Sequence, residues 1–416
     1  MSSLAPRPAV AKRLKYVVAL RRSRGEGAGD ERPYIGLESI ESSTGRLIGD
    51  PAATDESALS ASGQSDSLSN TFEPGDVLFG KLRPYLAKAW VATFQGRCTA
   101  ELLVMQPVEA ESAFLRYVCL SRDFIDAVDA STFGSKMPRA DWDFIGNMPI
   151  PVPPLQQQRA IADFLDRETA RLDALVAAKE RVLWLLAEKR RALITRAVTR
   201  GLDPRAPLRD SGIPWLGEIP AHWETSKFTW SVFIIEGQVD PEVEPYVTMP
   251  LIAPNHVESG TGRLLSTETA ADQGAISGKY LCRRGDVIYS KIRPSLRKAT
   301  IAVEDCLCSA DMYPLRSREG MEPEFLLLFL LSEPFSTWAV LESNRVAMPK
   351  INREALSDIR IPVPPPQEQR ALVRFITQET AGLDKVRTAT ERTIALLMER
   401  RAALIAAAVT GQLEVV

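Results

Sequence analysis

The chain contains two copies of one long segment, and this internal repeat limits what it can fold into. The stretch IPVPPLQQQRAIADFLDRETARLDAL begins at Ile150, and IPVPPPQEQRALVRFITQETAGLDKV begins 211 residues later, at Ile361. Prolines fix an extended conformation, and the last proline of each copy can occupy the first turn of a helix, where its missing N–H costs nothing. A PxxP motif can also bind an SH3 domain. Because both copies lead straight into a helical pattern, we favour the start of a helix.

The repeat extends well beyond these segments. ESSTGRLI at Glu41 recurs as ESGTGRLL at Glu258, and PGDVLFGKLRPYLAKAWVA at Pro74 recurs as RGDVIYSKIRPSLRKATIA at Arg284. KMPRADWDFIGNMPIPVPP likewise matches AMPKINREALSDIRIPVPP, and the offsets stay between 210 and 217 residues. The predicted order is therefore a globular unit, a long helix, a second globular unit and a second long helix.

Each globular unit has the pattern of a mixed α/β fold. DVLFGKL and DVIYSKI alternate apolar with polar or small residues, as half-buried strands do. AFLRYVCLSRDFIDAVD and EFLLLFLLSEPFSTWAVL have helical spacing, and the Ser-, Asp- and Ala-rich stretch from Asp50 to Asn70 predicts a loop. The fold class is α+β, with α/β units at 1–150 and 204–360 and helical segments at 151–203 and 361–416.

The helical segments have the pattern of a coiled coil. No glycine or proline interrupts the chain from Gln156 to Arg200, so a helix of ~45 residues would be about 65 Å long. A weaker companion row takes in Ile161, Glu168 and Leu175, with matching positions in the second copy. Four of five positions in the main row are apolar in each copy, and the polar ones fall at the same layer; the rows are Leu165, Leu172, Lys179, Leu186, Leu193 and Ile376, Leu383, Thr390, Leu397, Leu404.

Two copies of a globular unit followed by a helix can be related by a pseudo-two-fold axis. Such an axis makes the two helices antiparallel, and the chain then resembles a dimer within one polypeptide. The alternative is that each helix packs only on its own globular unit.

Composition indicates a folded protein of more than one domain. With 416 residues, 45% hydrophobic and 25% charged, the chain exceeds what one core usually sustains. Its longest apolar run, near FLLLFLL, is too short to cross a bilayer, and the N-terminal apolar stretch is too short for a signal peptide. The five cysteines are sparse and odd in number, which favours reduced thiols and a cytoplasmic location. We interpret Cys306 and Cys308 as buried core residues.

No motif for catalysis is present. The sequence lacks a phosphate-binding P-loop, a strand-anchored GxGxxG, a GxSxG elbow, an HExxH and an adenine-methylation motif, and it has only two histidines. The acid in GDVLFGK is interpreted as part of a turn leading into a strand rather than as a nuclease carboxylate. Together these absences indicate a protein that binds rather than catalyses, with no metal site.

Basic residues recur at matched positions in both halves. Because the net charge is −2, any nucleic-acid affinity would have to come from local patches, in which Lys and Arg can neutralise phosphates and Arg can bind guanine through two hydrogen bonds. One cluster follows the GDV strand and the other precedes the helix; the candidate residues are Lys81, Arg83, Lys88, Lys136, Arg139, Lys291, Arg293, Arg297, Lys298, Arg345 and Lys350. Two diverged units at a fixed separation would read a split, non-palindromic DNA sequence.

These segments, together with DSGIPWLGEIPAHWE at Asp210, resemble the specificity subunits of Type I restriction–modification systems over essentially the whole chain. The first half departs from the pattern, since it opens with VAKRLKYVV in place of GIPWLGEIPAHWE. The resemblance implies two target-recognition domains that each read half of a bipartite double-stranded DNA site, and an antiparallel coiled coil that sets the gap between the halves.

The resemblance also implies partners. These are two modification subunits, which bind S-adenosylmethionine and methylate adenine at N6, and motor-nuclease subunits that use ATP and magnesium. This chain would then carry no catalytic residue and no cofactor. Two alternatives stay open: a separate specificity chain serving a fused methyltransferase–nuclease, and a coiled-coil scaffold whose globular units bind protein.

Overall fold

The computed structural model describes residues 10–23, 32–49, 69–134, 136–343 and 349–415. The chain divides into two compact units: unit 1 takes in the chain up to Glu180 and from Arg392 onwards, and unit 2 is Arg181–Glu391. The ranges predicted from the sequence divide the chain where its long helices begin and end, whereas these units divide it within the helices. Each unit therefore contains one globular part and a segment of both long helices.

The globular part of unit 1 is built on a four-stranded sheet of order β2-β8-β5-β6 and a three-stranded sheet of order β3-β7-β4, with β1 pairing β9. The pair β3–β7 is parallel and the other pairs are antiparallel. The strands are Val10–Arg13 (β1), Val18–Leu20 (β2), Tyr34–Ile35 (β3), Asn70–Phe72 (β4), Val77–Gly80 (β5), Ala89–Val91 (β6), Gly96–Cys98 (β7), Leu102–Pro107 (β8) and Pro149–Val152 (β9). The helices are Ser112–Leu120 (α1), Arg122–Ala130 (α2), Trp142–Ile145 (α3) and the long Leu155–Arg200 (α4).

Unit 2 repeats this topology. A four-stranded sheet of order β13-β20-β17-β18 lies with a second sheet of order β14-β16-β19-β15, in which β15–β19 is the parallel pair. Its strands are Leu208–Asp210 (β10), Glu218–Pro220 (β11), Glu224–Lys227 (β12), Val232–Ile234 (β13), Gln238–Val239 (β14), Leu251–Ile252 (β15), Lys279–Cys282 (β16), Val287–Ser290 (β17), Ala299–Ile301 (β18), Cys306–Cys308 (β19), Met312–Ser317 (β20) and Arg360–Val363 (β21). Its helices are Phe228–Ser231 (α5), Pro323–Leu331 (α6), Glu333–Ser343 (α7), Arg353–Asp358 (α8) and the long Pro366–Val409 (α9). The mixed α/β fold predicted for both halves is confirmed.

The central strands are buried on both faces. In β5, Val77 and Phe79 join the core beneath the helices, while Leu78 joins a second core between the two sheets. In β17, Val287 and Ile288 divide in the same way. The strands are therefore where the sequence predicts them, but the prediction that they are half-buried is wrong, since the sheets that contain β5 and β17 are covered on both sides.

A fully buried glutamine organises the start of each long helix. Gln158 donates from Nε2 to the carbonyls of Pro153 (2.8 Å) and Glu109 (3.3 Å), and its Oε1 accepts from the N–H of Glu111 (2.7 Å). Proline supplies no N–H of its own, so the side-chain amide provides the donor for the carbonyl of the buried Pro153 and links it to the backbone of the preceding turn. This explains why the PVPP segment is followed by glutamine in the first helical turn.

The second copy has the same arrangement. Gln369, which is 0% exposed, donates to the carbonyls of Pro364 (2.7 Å) and Gly320 (2.8 Å) and accepts from the N–H of Glu322 (2.8 Å). One side chain thus joins the extended segment, the helix and the turn before α6.

Within each unit, α4 and α9 pack against each other as antiparallel helices. In unit 1, Leu165 near the start of α4 shares a core with Ile405 near the end of α9, and Asp173 accepts from Nε of Arg401 at 2.9 Å. In unit 2, Ile194 shares a core with Ile376. The contacts move backwards along α9 as they advance along α4, so the antiparallel pairing predicted from the sequence is confirmed.

All ten residues of the main predicted heptad row are buried or half-buried. The companion row is correct at its first positions, where Ile161 and Leu372 are buried, but wrong further along: Leu175 and Val386, which it placed in the seam, are 44% and 49% exposed. The seam continues four residues after each member of the main row, as in alternating spacings of four and three. Its second row is Thr169, Val176, Leu183, Arg190, Ala197 and Thr380, Arg387, Ile394, Arg401, Ala408, all buried or half-buried.

Polar residues of this second row bind within the seam. The hydroxyl of Thr380 donates to the carbonyl of Ile376, one turn earlier, at 2.7 Å. Arg190 forms an ion pair with Asp384 at 2.5 Å. Arg190 and Asp384 match Arg401 and Asp173 at the offset of 211 residues, so the repeat carries the same interhelical ion pair in both units.

A short turn of unit 2 is fixed to α9 through Glu258. Its carboxylate accepts from Thr261 (2.7 Å), Arg263 (2.9 Å) and Arg387 (2.7 Å). Burial raises the pKa of Glu258, but the hydrogen bonds from Arg263, Thr261 and Arg387 outweigh it and lower the pKa to about 2.

Across the described ranges no single helix is long and apolar enough to cross a membrane. The adjacent α6 and α7 meet the length and composition criterion only when taken together, with a bend of 63° between them.

We predict that Gln369→Leu destabilises unit 2 by about 2 kcal/mol, because it removes three hydrogen bonds and leaves the carbonyl of the buried Pro364 without this partner. The measurement is thermal unfolding followed by circular dichroism. Gln367→Leu is the matched control, since Gln367 lies in the same helical turn but is exposed. Equal unfolding temperatures for the two variants would contradict this role of Gln369.

We also predict that Glu258 accounts for part of the stability that the protein loses as the pH falls. Its folded pKa lies below its usual 4.5, so its contribution is complete above that pH and disappears as the pH falls towards about 2. Glu258→Gln should therefore flatten the loss of thermal stability between about pH 5 and pH 3. Glu268→Gln, which removes an exposed carboxylate, serves as the control and should leave the wild-type pH profile unchanged.

Candidate nucleic-acid interface

Each unit presents an arginine on the turn of a β-hairpin in an unusual backbone conformation. Arg83 follows β5 and Arg293 follows β17, and both are exposed with a left-handed backbone, at φ 51° and φ 47°. Pro84 and Pro294 come next and start one turn of 3-10 helix. A following proline disfavours the ordinary helical region for the residue before it, and these arginines adopt the left-handed region instead.

The left-handed conformation is costly for arginine. A non-glycine residue in that region costs on the order of 1–3 kcal/mol and persists only where surrounding structure holds it. Here the holding contacts are backbone hydrogen bonds, from the N–H of Arg83 to Pro138 at 2.8 Å and from the N–H of Arg293 to Pro349 at 3.1 Å. Both copies thus place arginine where glycine would be unstrained, and the same turns also hold Ala87 and Arg297 in the left-handed region, at φ 48° and 45°.

The same backbone contacts bring the two predicted basic clusters together. Leu82 bridges Arg139 in unit 1, and Ile292 bridges Lys350 in unit 2. The segment before each long helix therefore lies beside the hairpin turn as an additional short strand. In each unit, residues of both predicted basic clusters therefore lie next to the same hairpin turn.

Several of the predicted DNA-binding residues have internal partners. Lys88 and Lys298 donate to the carbonyls of Leu37 and Pro254, both at 2.6 Å, and burial lowers the pKa of Lys88. These two lysines hold loops of their own units.

Three further candidates are also engaged. Arg139 pairs with Glu101 at 2.7 Å, and Arg297, itself left-handed at φ 45°, pairs with Glu333 at 3.1 Å. Lys291 is half-buried and lies over the ring of Tyr313, 5.1 Å from its centroid. Their charges are partly neutralised or covered.

The remaining candidates are available to a ligand. Arg83, Lys136, Arg293 and Lys350 are exposed, and no described residue forms a hydrogen bond or ion pair with their side chains; Lys81 is half-buried beside them. Arg345 lies outside the described residues.

Sequence reasoning missed three apolar side chains beside Arg83. Tyr85, Phe133 and Met137 are 53%, 65% and 51% exposed, next to the hairpin turn. Exposed aromatic and apolar groups can contact base edges such as the thymine methyl group. For Tyr85 the signal in the sequence was divergence, since the second copy has Ser295 at its position, whereas Met137 has its counterpart in Met348. Divergence alone does not distinguish a residue that contacts DNA from a surface position that tolerates change.

The acids beside the hairpins are occupied. Asp76 accepts from Nε of Arg21 at 2.7 Å, and Asp286 accepts from Nε of Arg316 at 2.8 Å. Each also accepts a backbone N–H within its turn, from Glu73 and Arg283. The interpretation of the GDV acid as part of a turn is confirmed, with an arginine partner that the sequence did not reveal.

The remaining reactive side chains lie within the fold, except for His222, which is exposed and has its Nε2 2.8 Å from a carboxylate oxygen of Glu368. All five cysteines are buried and free, and burial raises the pKa of Cys98 to about 12. His256 is buried, with its Nδ1 3.1 Å from the carbonyl of Leu251. Among the described residues no group of three or more His, Cys, Asp or Glu is arranged to hold a metal ion.

Comparison with known proteins shows which family this chain resembles. The family model described as Type I restriction modification DNA specificity domain matches residues 98–183 and 235–394, which is more than half of the chain. The Type I restriction enzyme EcoDI specificity subunit of Escherichia coli is 29% identical over 394 residues, covering 90% of this chain and 87% of that protein. The MjaVIII specificity subunit of Methanocaldococcus jannaschii is 25% identical and covers 58% of each chain.

A solved structure supports the same fold. It comes from work on complex assembly and conformational transition of the type I R-M system, and it covers 99% of this chain and 100% of its own with a TM-score of 0.70 at 20% identity. The chain belongs to the family of Type I restriction–modification DNA specificity domains.

Proposed function

We propose that this chain reads an asymmetric, bipartite double-stranded DNA site, with each unit reading one half. The observation that carries the proposal is the pair of exposed, left-handed arginines, Arg83 and Arg293, at the same place in two units whose neighbouring residues differ. Equivalent hairpins with different neighbours fit two half-sites of different sequence. The family membership and the names of the relatives support the same reading.

The proposal includes partners that supply the chemistry. Two modification subunits would bind S-adenosylmethionine and methylate adenine at N6, and motor-nuclease subunits would use ATP and magnesium. This chain would place them on DNA in the cytoplasm and hold no cofactor itself. The engagement of Asp76 and Asp286 by arginines supports a role in binding rather than in nuclease chemistry.

Methylation mapping tests the proposed function. Host DNA is sequenced by a long-read method with and without this gene, in cells that express the partner subunits. We expect N6-methyladenine to disappear from one split, asymmetric motif when the gene is removed. An unchanged methylation pattern would contradict the proposal.

A second prediction concerns Arg293. Because glycine is unstrained in the left-handed region, Arg293→Gly removes the side chain without disturbing the hairpin, so the thermal stability should be unchanged or higher. The affinity of the assembled complex for its site should fall about 5- to 100-fold if the guanidinium contacts a base. If it contacts a phosphate, the slope of log affinity against log salt should fall by about one.

Arg284→Gln is the matched control for Arg293→Gly. Arg284 is an exposed arginine before the same strand, at the end away from the hairpin turn. It should leave both affinity and salt slope unchanged. Equal affinities of the two variants for DNA at moderate salt would show that Arg293 does not contact the DNA.

A further inference from the structure

In both units a single turn connects the basic hairpin with the pair of long helices. In unit 1 this is the ESSTGR turn, Glu41 to Arg46. The N–H of Ser43 donates to the carbonyl of Ala87, at the end of the hairpin's 3-10 turn, at 3.0 Å. The carbonyl of Ser43 accepts from Nη1 of Arg401, on α9, at 2.8 Å. One residue thus contacts the hairpin on one side and the helix pair on the other.

Arg401 also joins the two helices. While Nη1 binds the turn, Nε donates to Asp173 of α4 at 2.9 Å, and the side chains of Arg401 and Asp173 are only 12% and 13% exposed. Arg46, from the same turn, forms an ion pair with Asp173 as well. The planar guanidinium of arginine can make both contacts at once in a fixed geometry, which a lysine cannot do.

Unit 2 makes the same connection with different residues. The N–H of Gly260 donates to the carbonyl of Arg297 in the hairpin at 3.0 Å. In the same ESGTGR turn, Glu258 accepts from Arg387 of α9 at 2.7 Å, and α9 is joined to α4 by the ion pair of Asp384 with Arg190 at 2.5 Å. Hairpin, turn, α9 and α4 are linked in this order in both units.

The turn is pressed closely against the hairpin strand. Gly45 has a φ of 69°, and a Cβ at this position would lie 2.0 Å from the carbonyl oxygen of Ala89 in β6. The second copy also has glycine here, at Gly262. In unit 1 the absence of a side chain lets the turn lie directly against the hairpin strand, and in unit 2 a Cβ at Gly262 would lie 3.0 Å from the side chain of Leu327.

We propose that this junction is a positioning element, which fixes the direction of each DNA-reading hairpin relative to the helices that set the gap between half-sites. The proposal rests on the proposed function. Ion pairs that are largely buried add little net stability compared with apolar packing. Their best-attested role is to select one register or orientation of the packed elements. Arg401 and its partners therefore act on the spacing of the site and not on the bases that are read.

The test is methylation mapping of cells in which Arg401→Gln replaces the wild-type chain beside its partner subunits. We expect the two half-site sequences to stay the same, while motifs with a gap one base pair longer or shorter become methylated. Discrimination between gap lengths should fall by roughly 2- to 30-fold, the range produced by residues along such a contact network. Arg400→Gln, at the exposed neighbouring position on the same helix, should keep the single wild-type gap.

A second variant covers the case in which Arg401→Gln does not fold. Arg46→Gln removes only the ion pair between turn and helix, and the Arg46 side chain is 55% exposed, so folding should be retained. This variant should also allow methylation of motifs with a longer or shorter gap, but to a smaller extent than Arg401→Gln.

The outcomes are distinct. A single unchanged gap in folded, assembled variants would overturn the positioning role, and so would loss of one half-site sequence, because the proposal leaves reading intact. If the wild-type chain itself directs no methylation to a split motif, it is the proposed function that fails.

Discussion

The buried glutamine at the start of each long helix is the interaction on which the architecture depends. The chain must pass from a sheet into a helix of more than 40 residues through a segment rich in prolines, which cannot donate hydrogen bonds. Gln158 and Gln369 supply the missing donors and bind the extended segment, the first helical turn and a neighbouring turn with one side chain. The direction in which each helix leaves its globular part is thereby fixed, and the contacts between the helices and the basic hairpin follow from it.

The repeat is what made most of the fold predictable from the sequence. The first long helix is predicted from Gln156 to Arg200 and observed at Leu155–Arg200, because uninterrupted helix formers between proline and glycine leave little choice. The main heptad row is recognisable because leucine or isoleucine occupies four of its five positions in each copy. The second row was not predictable by hydrophobicity, since polar residues occupy it. Arg190 and Arg401 pair with carboxylates that are distant in sequence, and the hydroxyl of Thr380 binds a carbonyl of the preceding helical turn.

The candidate site shows the same division between local and distant information. The basic hairpin is visible in the sequence, but charge alone does not show that Lys88 and Lys298 are turned inward towards carbonyls. Nor does it show that Arg83 and Arg293 are held in the left-handed region. Both properties depend on contacts with other segments of the chain, and in all four contacts the partner lies more than 40 residues away in sequence. No local sequence pattern predicts such contacts.

The two units share the contacts that hold the hairpin and the long helices in place, and they differ in exposed residues of the hairpin. The glutamines, the interhelical Arg–Asp pairs and the hairpin–turn hydrogen bonds occur in both units. Tyr85, exposed beside Arg83, corresponds to Ser295 beside Arg293. A protein whose two halves bind different sequences at one fixed spacing needs this separation, because a change in what is read must leave the geometry of reading unchanged. The structure meets that need by placing the shared contacts behind the hairpin and the divergent side chains on its exposed turn.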